Sequence, residues 1–387
     1  MLSILIFLAV LSVLVLIHEL GHYVAARLCG VKAEEFGYGF PPRLVGFVKV
    51  NGKWKRVGAS SEKTYPSTIW SLNWLPLGGF VRLKGEQNDH EHDPDSFLSK
   101  PLWQRAFILV AGVLMNWLLT AVIFCVAFTV GVPIQTDQLP AGAIVRDQRV
   151  EIVEVLPHSA ADVAGIRVGD VVKSVNNISF QGVVQLMPLL AAHATDAQPL
   201  SIKILRNGQE KILSAKPAYV ESLKRSGLGV ALADAGIVRF PWYRAIVQGF
   251  STTWQMTELI VLGLGGLVRD LVVSHHVTAD VAGPIGIAVM TRQMAKQGWW
   301  AIIQFTGMLS LNLAVINFLP IPALDGGRAL FVAVESLRRR KINPKIENLI
   351  HQVGFIILLG LVVIVTIHDL GQYGSSIWHG LTHAVGL

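Results

Sequence analysis

The sequence predicts a polytopic α-helical membrane protein of about four transmembrane helices, with an inserted α+β domain and a small membrane-associated β-hairpin region. Of the 387 residues, 52% are hydrophobic and only 15% are charged, a balance unlike that of ordinary soluble enzymes. A spanning helix needs about 20 mostly apolar residues. Three stretches meet that length and a fourth is shorter but almost wholly apolar, at residues 1–28, 103–132, 300–324 and 353–367.

A fifth stretch, residues 245–268, is borderline because it carries several Gln, Ser, Thr and Glu residues. It favours an amphipathic or partly buried helix. The distribution of basic residues supports four spans. Twelve Lys and Arg lie from Arg27 to Arg105, both ends included, a dense cluster occupies residues 338–341, and residues 368–387 contain neither. By the positive-inside rule, the two basic regions are cytoplasmic, so both termini and the long central region lie outside.

The order of elements divides the chain into four parts. Residues 1–132 hold the first two transmembrane helices and a β-rich loop, and residues 300–387 hold the last two. Residues 221–299 are expected to form an amphipathic helical region. Residues 133–220 alternate short strands and helices, with an Asn-Gly hairpin signal at 207–208. This order, and the Gly-Ile-Arg-Val-Gly-Asp-Val-Val-Lys-Ser-Val-Asn run at 165–176, resembles a bacterial PDZ domain placed outside the cytoplasm.

Cysteine content and net charge exclude two other classes. The two cysteines, Cys29 and Cys125, lie in or beside apolar segments and provide neither a disulfide framework nor a thiolate metal site. The formal charge of +7 is explained by basic flanks of membrane helices. No basic and aromatic cluster of the nucleic-acid-binding type accompanies it, so no nucleic-acid partner is expected.

Near the end of the first apolar helix stands the sequence His-Glu-Leu-Gly-His, residues 18–22. His18 and His22 are four apart, so they share one helix face and can grip one cation, while Glu19 can act as the general base. Two histidines and a glutamate can also simply pack within a helix bundle. Ionisable groups inside a spanning helix cost at least about 2.5 kcal/mol each and are usually functional. Nitrogen and oxygen ligands in such an arrangement favour Zn²⁺.

The third ligand is expected from the other deep polar motif, residues 312–327, which contains Asp325. In the predicted topology Asp325 ends the third transmembrane helix on the cytoplasmic side. His18 lies near the cytoplasmic end of the first helix, so the two are at similar depth. An ordinary helix-end turn before Gly-Gly remains an alternative for Asp325.

Taken together, these motifs resemble the site-2 protease family, specifically the bacterial RseP type of regulated intramembrane zinc metalloprotease, across nearly the whole chain. The resemblance implies a bacterial inner-membrane protein in which His18, His22 and Asp325 bind zinc and Glu19 is the base. It also implies that Asn317 helps to hold substrate or the oxyanion, with Asn312 a weaker candidate for the same work.

Substrate access requires an extended backbone, because a protease cannot cleave an intact helix. Segments 36–50 and 74–84 are rich in glycine and β-formers and can supply edge strands for pairing with an unwound substrate, as the family resemblance also implies. A plain cytoplasmic hairpin is the alternative. The candidate residues for this contact are glycines that permit close backbone approach: Gly37, Gly39, Gly78 and Gly79.

The predicted function is hydrolysis of peptide bonds in or near the transmembrane segments of single-pass membrane proteins within the lipid bilayer. Anti-sigma factors and remnant signal peptides are the substrate types considered. A metal transporter would need polar groups spread across the bilayer depth, whereas here they gather at one end. A catalytically inactive PDZ-bearing membrane scaffold is the second alternative, and the intact Glu19 counts against it.

Overall fold

The computed structural model describes residues 2–59, 65–86, 93–136, 139–140, 142–193, 198–206, 208–220, 225–273 and 282–385. The chain forms two compact units. The first comprises Met1–Phe124 together with Phe250–Leu387, and the second is Cys125–Gly249. Asn207, the first residue of the predicted Asn-Gly hairpin signal, lies outside the described residues.

Within these residues, four helices are long and apolar enough to cross a membrane, which confirms the predicted number of candidate spans. The spans are Leu5–Leu28, Leu102–Val130, Trp299–Phe318 and Lys345–Gly374. The borderline stretch 245–268 lies in a helix that is not one of them. The helices are α1 (Leu2–Leu28), α2 (Leu102–Val130), α3 (Ala160–Val163), α4 (Val183–Ala192), α5 (Trp242–Val273), α6 (Pro284–Gln297), α7 (Trp299–Phe318), α8 (Asp325–Arg338) and α9 (Pro344–Val385).

The β-rich loop of the first unit folds as a three-stranded antiparallel sheet in the order β2-β1-β3. Its strands are β1 (Ala33–Val50), β2 (Lys53–Val57) and β3 (Ile69–Leu83). The predicted strand segments 36–50 and 74–84 therefore fall on β1 and β3. The sheet packs on α1, where the Tyr38 hydroxyl donates to Ser12 Oγ at 3.1 Å. Phe36 lies opposite both Val81 and Trp70, so β1 contacts two separate parts of β3.

Small residues bring α1 and α2 together. A Cβ added at Gly21 would lie 2.4 Å from the carbonyl oxygen of Ala111, so only glycine allows this crossing. Ala25 and Ala26 of α1 and Ile108 of α2 are buried in one hydrophobic cluster. Such close approach is how membrane helices gain packing energy, since lipid offers no hydrophobic driving force between them.

The second unit is a β-rich domain. Its main sheet has the order β4-β12-β5-β6-β8-β9, with β7 paired to β6. A core of buried aliphatic side chains, including Ile152, Leu186 and Ile204, fills the space between this sheet and α4. The strands are β4 (Val132–Gln135), β5 (Ile144–Val155), β6 (Val171–Val175), β7 (Ile178–Ser179), β8 (Leu200–Arg206), β9 (Gln209–Ala215), β10 (Ala218–Val220), β11 (Arg225–Gly227) and β12 (Val230–Arg239).

The predicted boundary of this domain at residue 220 is too early. Strand β12 pairs with both β4 and β5, so the domain takes residues from the region 221–299 that was expected to be helical. The strand was missed because its buried positions include small residues, Ala233 and Ala235, and Gly236 interrupts the alternation. Small side chains give a weak strand signal.

The expectation that Asp325 ends the third transmembrane helix is also wrong. Helix α7 ends at Phe318, and Asp325 is the first residue of α8. Pro320 and Pro322 explain the break, because proline lacks the backbone N–H that would continue a helix and restricts the residue before it. Asp325 therefore stands at a helix N-terminus after a six-residue connection, residues 319–324.

Candidate active site

His18, His22 and Asp325 converge although they come from different parts of the chain. Asp325 Oδ2 lies 2.9 Å from His18 Nε2 and 3.2 Å from His22 Nε2. The two Nε2 atoms are 3.2 Å apart. Both histidines are buried. Among the described residues, these three form the group of His, Cys, Asp or Glu side chains whose ligand atoms can share one metal ion.

The arrangement of these atoms fits a zinc ion. Tetrahedral zinc with bonds of about 2.0–2.1 Å places its ligand atoms about 3.3 Å apart. The distances between the three ligand atoms, 2.9 to 3.2 Å, are close to that value. Asp325 Oδ2 is buried and has no hydrogen-bond partner among the described residues. A metal ion at the convergence point would coordinate this oxygen. A donor set of two imidazoles and one carboxylate also leaves a fourth coordination position open.

The backbone of α2 sets the ring orientation of His22. Its Nδ1 lies 2.8 Å from the carbonyl oxygen of Ile108. A carbonyl only accepts, so Nδ1 carries the proton and the Nε2 lone pair is left for a metal. Such outer-shell hydrogen bonds fix the tautomer and position of metal-binding histidines.

His18 has an equivalent neighbour in Asn116. His18 Nδ1 lies 3.4 Å from the Asn116 amide nitrogen, while Asn116 Oδ1 is buried with no partner. Rotating the amide by half a turn, a choice that hydrogen-bond chemistry decides, lets Oδ1 accept from Nδ1–H. Both groups are then satisfied, and His18 Nε2 is also free to bind a metal.

Gly112 on α2 provides the space for the two imidazoles. A Cβ at this position would lie 2.3 Å from His22 Nε2 and 2.9 Å from His18 Cε1. Any larger residue would push the histidines away from Asp325. Helix α2 thus contributes space at Gly112 and an orienting group at Asn116, one helical turn later.

Glu19 contacts the sheet rather than the ligand cluster, the group formed by His18, His22 and Asp325. Its Oε2 accepts a hydrogen bond of 3.0 Å from the backbone N–H of Val81 on β3. Glu19, the residue after His18, is therefore hydrogen-bonded to β3, which is an edge strand of the sheet. The Glu19 carboxylate is thereby held against the sheet, and it is not one of the three candidate ligand groups.

The connection before Asp325 is fixed from two sides. A Cβ at Gly326 would lie 2.3 Å from the carbonyl oxygens of Phe318 and Leu319, so the Gly-Gly pair lets α8 start directly against the preceding backbone. On the other side, the Ala323 N–H donates to His351 Nδ1 of α9 at 2.9 Å. Ala323 has a φ of 75°, which is costly for alanine and needs such support.

Arg328, one turn after Asp325, forms an ion pair with Glu86, which follows β3. Burial by itself would lower the pKa of the Arg328 guanidinium, but the negative charge of Glu86 raises it above its ordinary value. This contact connects α8 to the end of β3. Three structural elements, α1, α8 and the sheet, are thus linked around the ligand cluster.

The other predicted site residues are not part of the ligand cluster. Asn312 and Asn317 lie half-buried on α7, with Asn317 in its last turn. Gly78 and Gly79 face α1, where added Cβ atoms would meet Val15 and Leu16. Gly37 and Gly39 are inside the sheet, since Cβ atoms there would meet β3 at Phe80 and at the Leu75 carbonyl. Gly78 and Gly79 thus allow the sheet to pack closely on α1, and Gly37 and Gly39 allow β1 to pack closely on β3.

Sequence reasoning missed Gly112, Asn116 and His351. A signal existed for Asn116, because an amide inside an apolar span usually has a specific partner. Glycine four residues before it marks a close approach of another element. His351 gave no such signal, because its partner is a backbone N–H brought near only by folding.

A helix that carries His-Glu-x-x-His, with its two histidines close to a carboxylate, is typical of zinc metallopeptidases. In this chain that helix is a candidate membrane span. The family description "Peptidase family M50" matches residues 6–361, and the chain belongs to that family. It is a zinc metalloprotease of the site-2 protease family, which confirms the resemblance inferred from its motifs.

Three bacterial relatives support this assignment. "Zinc metalloprotease RasP" of Geobacillus kaustophilus is 27% identical, covering 96% of this chain and 98% of its own. A protein of Rhizobium meliloti is 31% identical over 94% of this chain and 95% of its own, and one of Agrobacterium fabrum is 28% identical over 95% of each. The last two are both named "Putative zinc metalloprotease". The names of all three relatives therefore give zinc as the metal.

Among solved structures, the PDZ domain of an SdrC-like protein from Listeria innocua aligns with 22% of this chain and 92% of its own. The sequence identity is 16% and the TM-score is 0.20. That score is too low to assign a fold, so the PDZ-like nature of the second unit stays a prediction.

Proposed function

We propose that this zinc metalloprotease cleaves peptide bonds in or near the transmembrane segments of single-pass membrane proteins. The observation that carries the proposal is the position of His18 and His22. Both lie inside the candidate membrane span Leu5–Leu28, and both are within 3.2 Å of Asp325 Oδ2. A peptide bond must therefore come to the first span to be hydrolysed.

In this proposal His18, His22 and Asp325 hold the zinc ion and Glu19 is the general base. Zinc held by these three residues would supply a Lewis acid for the scissile carbonyl and would lower the pKa of water to about 7. Glu19 takes the proton from the attacking water and passes it to the leaving nitrogen. Its hydrogen bond with Val81 N–H supports this role, because it orients the carboxylate and leaves its second oxygen available for the proton.

The edge strand β3 is proposed to receive the substrate by strand addition. Val81 pairs with Phe36 of β1 on one side and directs its N–H to Glu19 on the other. An extended segment lying along this edge would therefore pass beside the base. Gly78 and Gly79 contribute by letting β3 lie against α1, and Gly37 and Gly39 by keeping the sheet compact. Asn317, and less directly Asn312, would hold substrate or the oxyanion from α7.

The proposed location is the bacterial inner membrane, with both termini and the second unit extracytoplasmic. The basic residues at 27–105 and 338–341 support this orientation. A PDZ-like unit outside would limit which proteins reach the site. Anti-sigma factors and remnant signal peptides, each with a single span, are the proposed substrate types.

The decisive experiment compares cleavage of a tagged single-span substrate by the purified wild type, Glu19→Gln and Glu34→Gln, with zinc content measured for each. Glu34 has the same charge and lies outside the span, so its variant is a matched control. We expect cleavage by the wild type and Glu34→Gln alone, and zinc in all three. Zinc-free protein and no cleavage across several substrates would instead favour the inactive scaffold. Cleavage by Glu19→Gln at the wild-type rate would contradict the role of Glu19.

A further inference from the structure

A cavity of about 870 Å³ lies between the start of α2 and the end of α8. It is distinct from the ligand cluster, since none of the three metal-binding candidates lines it. Its walls are strongly basic. Five cationic side chains line it, against one carboxylate, Glu335; the cations are Lys100, Arg105, Arg339, Arg340 and Lys341.

The single carboxylate is already used by the walls of the cavity. Glu335 Oε2 accepts from Arg105 Nη1 at 2.7 Å, and Glu335 Oε1 accepts from the backbone N–H of Ile342 at 3.1 Å. These two bonds join α2 to the basic turn after α8, residues 339–341. The pairing of Glu335 with Arg105 leaves the cavity with an excess of positive charge.

The burial and contacts of Arg105 distinguish this cavity from a chance group of surface cations. Only 5% of this residue is exposed, and its guanidinium stacks 5.3 Å from the ring centre of Phe97. Its Nε is buried and has no hydrogen-bond acceptor among the described residues. A buried arginine N–H without an acceptor is costly, and an anion in the cavity would provide one.

The position of the cavity indicates the source of that anion. Lys100 lies two residues before Leu102, where the candidate span Leu102–Val130 begins. Trp103 beside it is 67% exposed, as is typical of the aromatic residues that anchor helices at the membrane surface. The positive end of the α2 helix dipole, at its N-terminus, also favours negative charge. Anionic lipid headgroups occur at this depth, and basic pockets between helices bind them.

We propose that this cavity binds the phosphate of an anionic phospholipid headgroup such as phosphatidylglycerol. Arg105 offers the buried N–H, and Lys100 and Arg340 contribute charge from opposite sides. The proposal does not depend on proteolytic activity. It concerns the basic turn after α8, which the proposed mechanism does not use.

The test is native mass spectrometry of the full-length protein in detergent, titrated with phosphatidylglycerol or with phosphatidylcholine of the same acyl chains. The cavity variant is Lys100→Gln with Arg340→Gln. The matched control is Arg338→Gln with Lys345→Gln, which removes the same charge from nearby residues that do not line the cavity. The single variant Arg340→Gln, at an exposed position in the turn after α8, provides a measurement should the double variant misfold.

We expect the wild type to bind phosphatidylglycerol in preference to phosphatidylcholine. The cavity variant should bind it about 30-fold more weakly, since each basic residue near the surface contributes about a fivefold factor. The control should bind it like the wild type. Equal losses in both double variants would overturn the site in favour of general charge attraction. Equal binding of phosphatidylcholine would overturn it too, as would binding of inorganic phosphate by a protein that retains no phosphatidylglycerol, which would point to a free anion.

Discussion

His351 Nδ1 accepts a hydrogen bond of 2.9 Å from the backbone N–H of Ala323, two residues before Asp325. The bond joins the last candidate span to the connection that positions Asp325, the third candidate metal ligand. Gly354, one turn further along α9, lies against the same connection, because a Cβ there would be 2.4 Å from Pro322 Cβ. Helix α9 therefore supports the backbone that positions Asp325.

We predict that His351→Leu weakens zinc binding about tenfold or more, the usual cost of removing an outer-shell support. Without this acceptor, nothing would offset the conformational cost of the positive φ at Ala323, and the backbone that positions Asp325 would shift. His351→Gln, whose amide oxygen can accept the same N–H, should retain most of the affinity. Zinc affinity is measured by competition with a chelator. Equal affinities for wild type and His351→Leu would show that α9 does not position Asp325.

Gly112→Ala is predicted to abolish zinc binding and cleavage together. The added methyl would lie 2.3 Å from His22 Nε2, closer than van der Waals contact allows, and moving α1 away would lose the close packing of Gly21 on Ala111. Gly263→Ala is the matched control, since a Cβ there meets nothing within 4 Å. Zinc content by atomic absorption would decide, and a Gly112→Ala protein with full zinc would refute the proposed crowding.

Asn116→Leu should weaken zinc binding about 10- to 100-fold, because His18 would lose the group that fixes its tautomer. Asn116→Asp keeps an acceptor and should bind zinc more tightly than Asn116→Leu. Thr120→Val is the control for packing: Thr120 Oγ1 bonds the Gly307 carbonyl of α7 at 2.8 Å, so its loss should lower thermal stability and leave zinc affinity unchanged. If Thr120→Val and Asn116→Leu reduce zinc affinity equally, Asn116 acts through packing alone.

Sequence patterns predicted the four candidate spans, because hydropathy over about 20 residues reflects a physical requirement of the bilayer. The convergence of His18, His22 and Asp325 followed from helical spacing and from matched depth. The start of α8 at Asp325 could not be predicted in the same way, since it depends on carbonyls of residues 318 and 319 packing against Gly326. Gly112 likewise has meaning only once α1 and α2 are in contact.

In the second unit, Asp170 and Arg206 form an ion pair that should make this domain sensitive to acid. Asp170 is fully buried and accepts from Arg206 Nε and Nη2, both at 2.7 Å, and from the Arg167 N–H at 2.8 Å. Burial alone would raise the pKa of Asp170, but these hydrogen bonds lower it below its ordinary value of 3.8. Protons therefore bind the unfolded domain more readily than the folded one.

The pair's contribution to stability is fully present well above pH 3.8 and is lost as the pH falls below that value towards the lowered pKa of the folded domain. Asp170→Asn should cost about 3 kcal/mol at neutral pH, the usual cost of leaving a buried partner unpaired, and should flatten the acid dependence. Amide hydrogen exchange of β6 and β8 in the full-length protein measures both. Asp147→Asn, at an exposed position, is the control. If the acid dependence of Asp170→Asn matches that of the control, Asp170 is not the group that titrates.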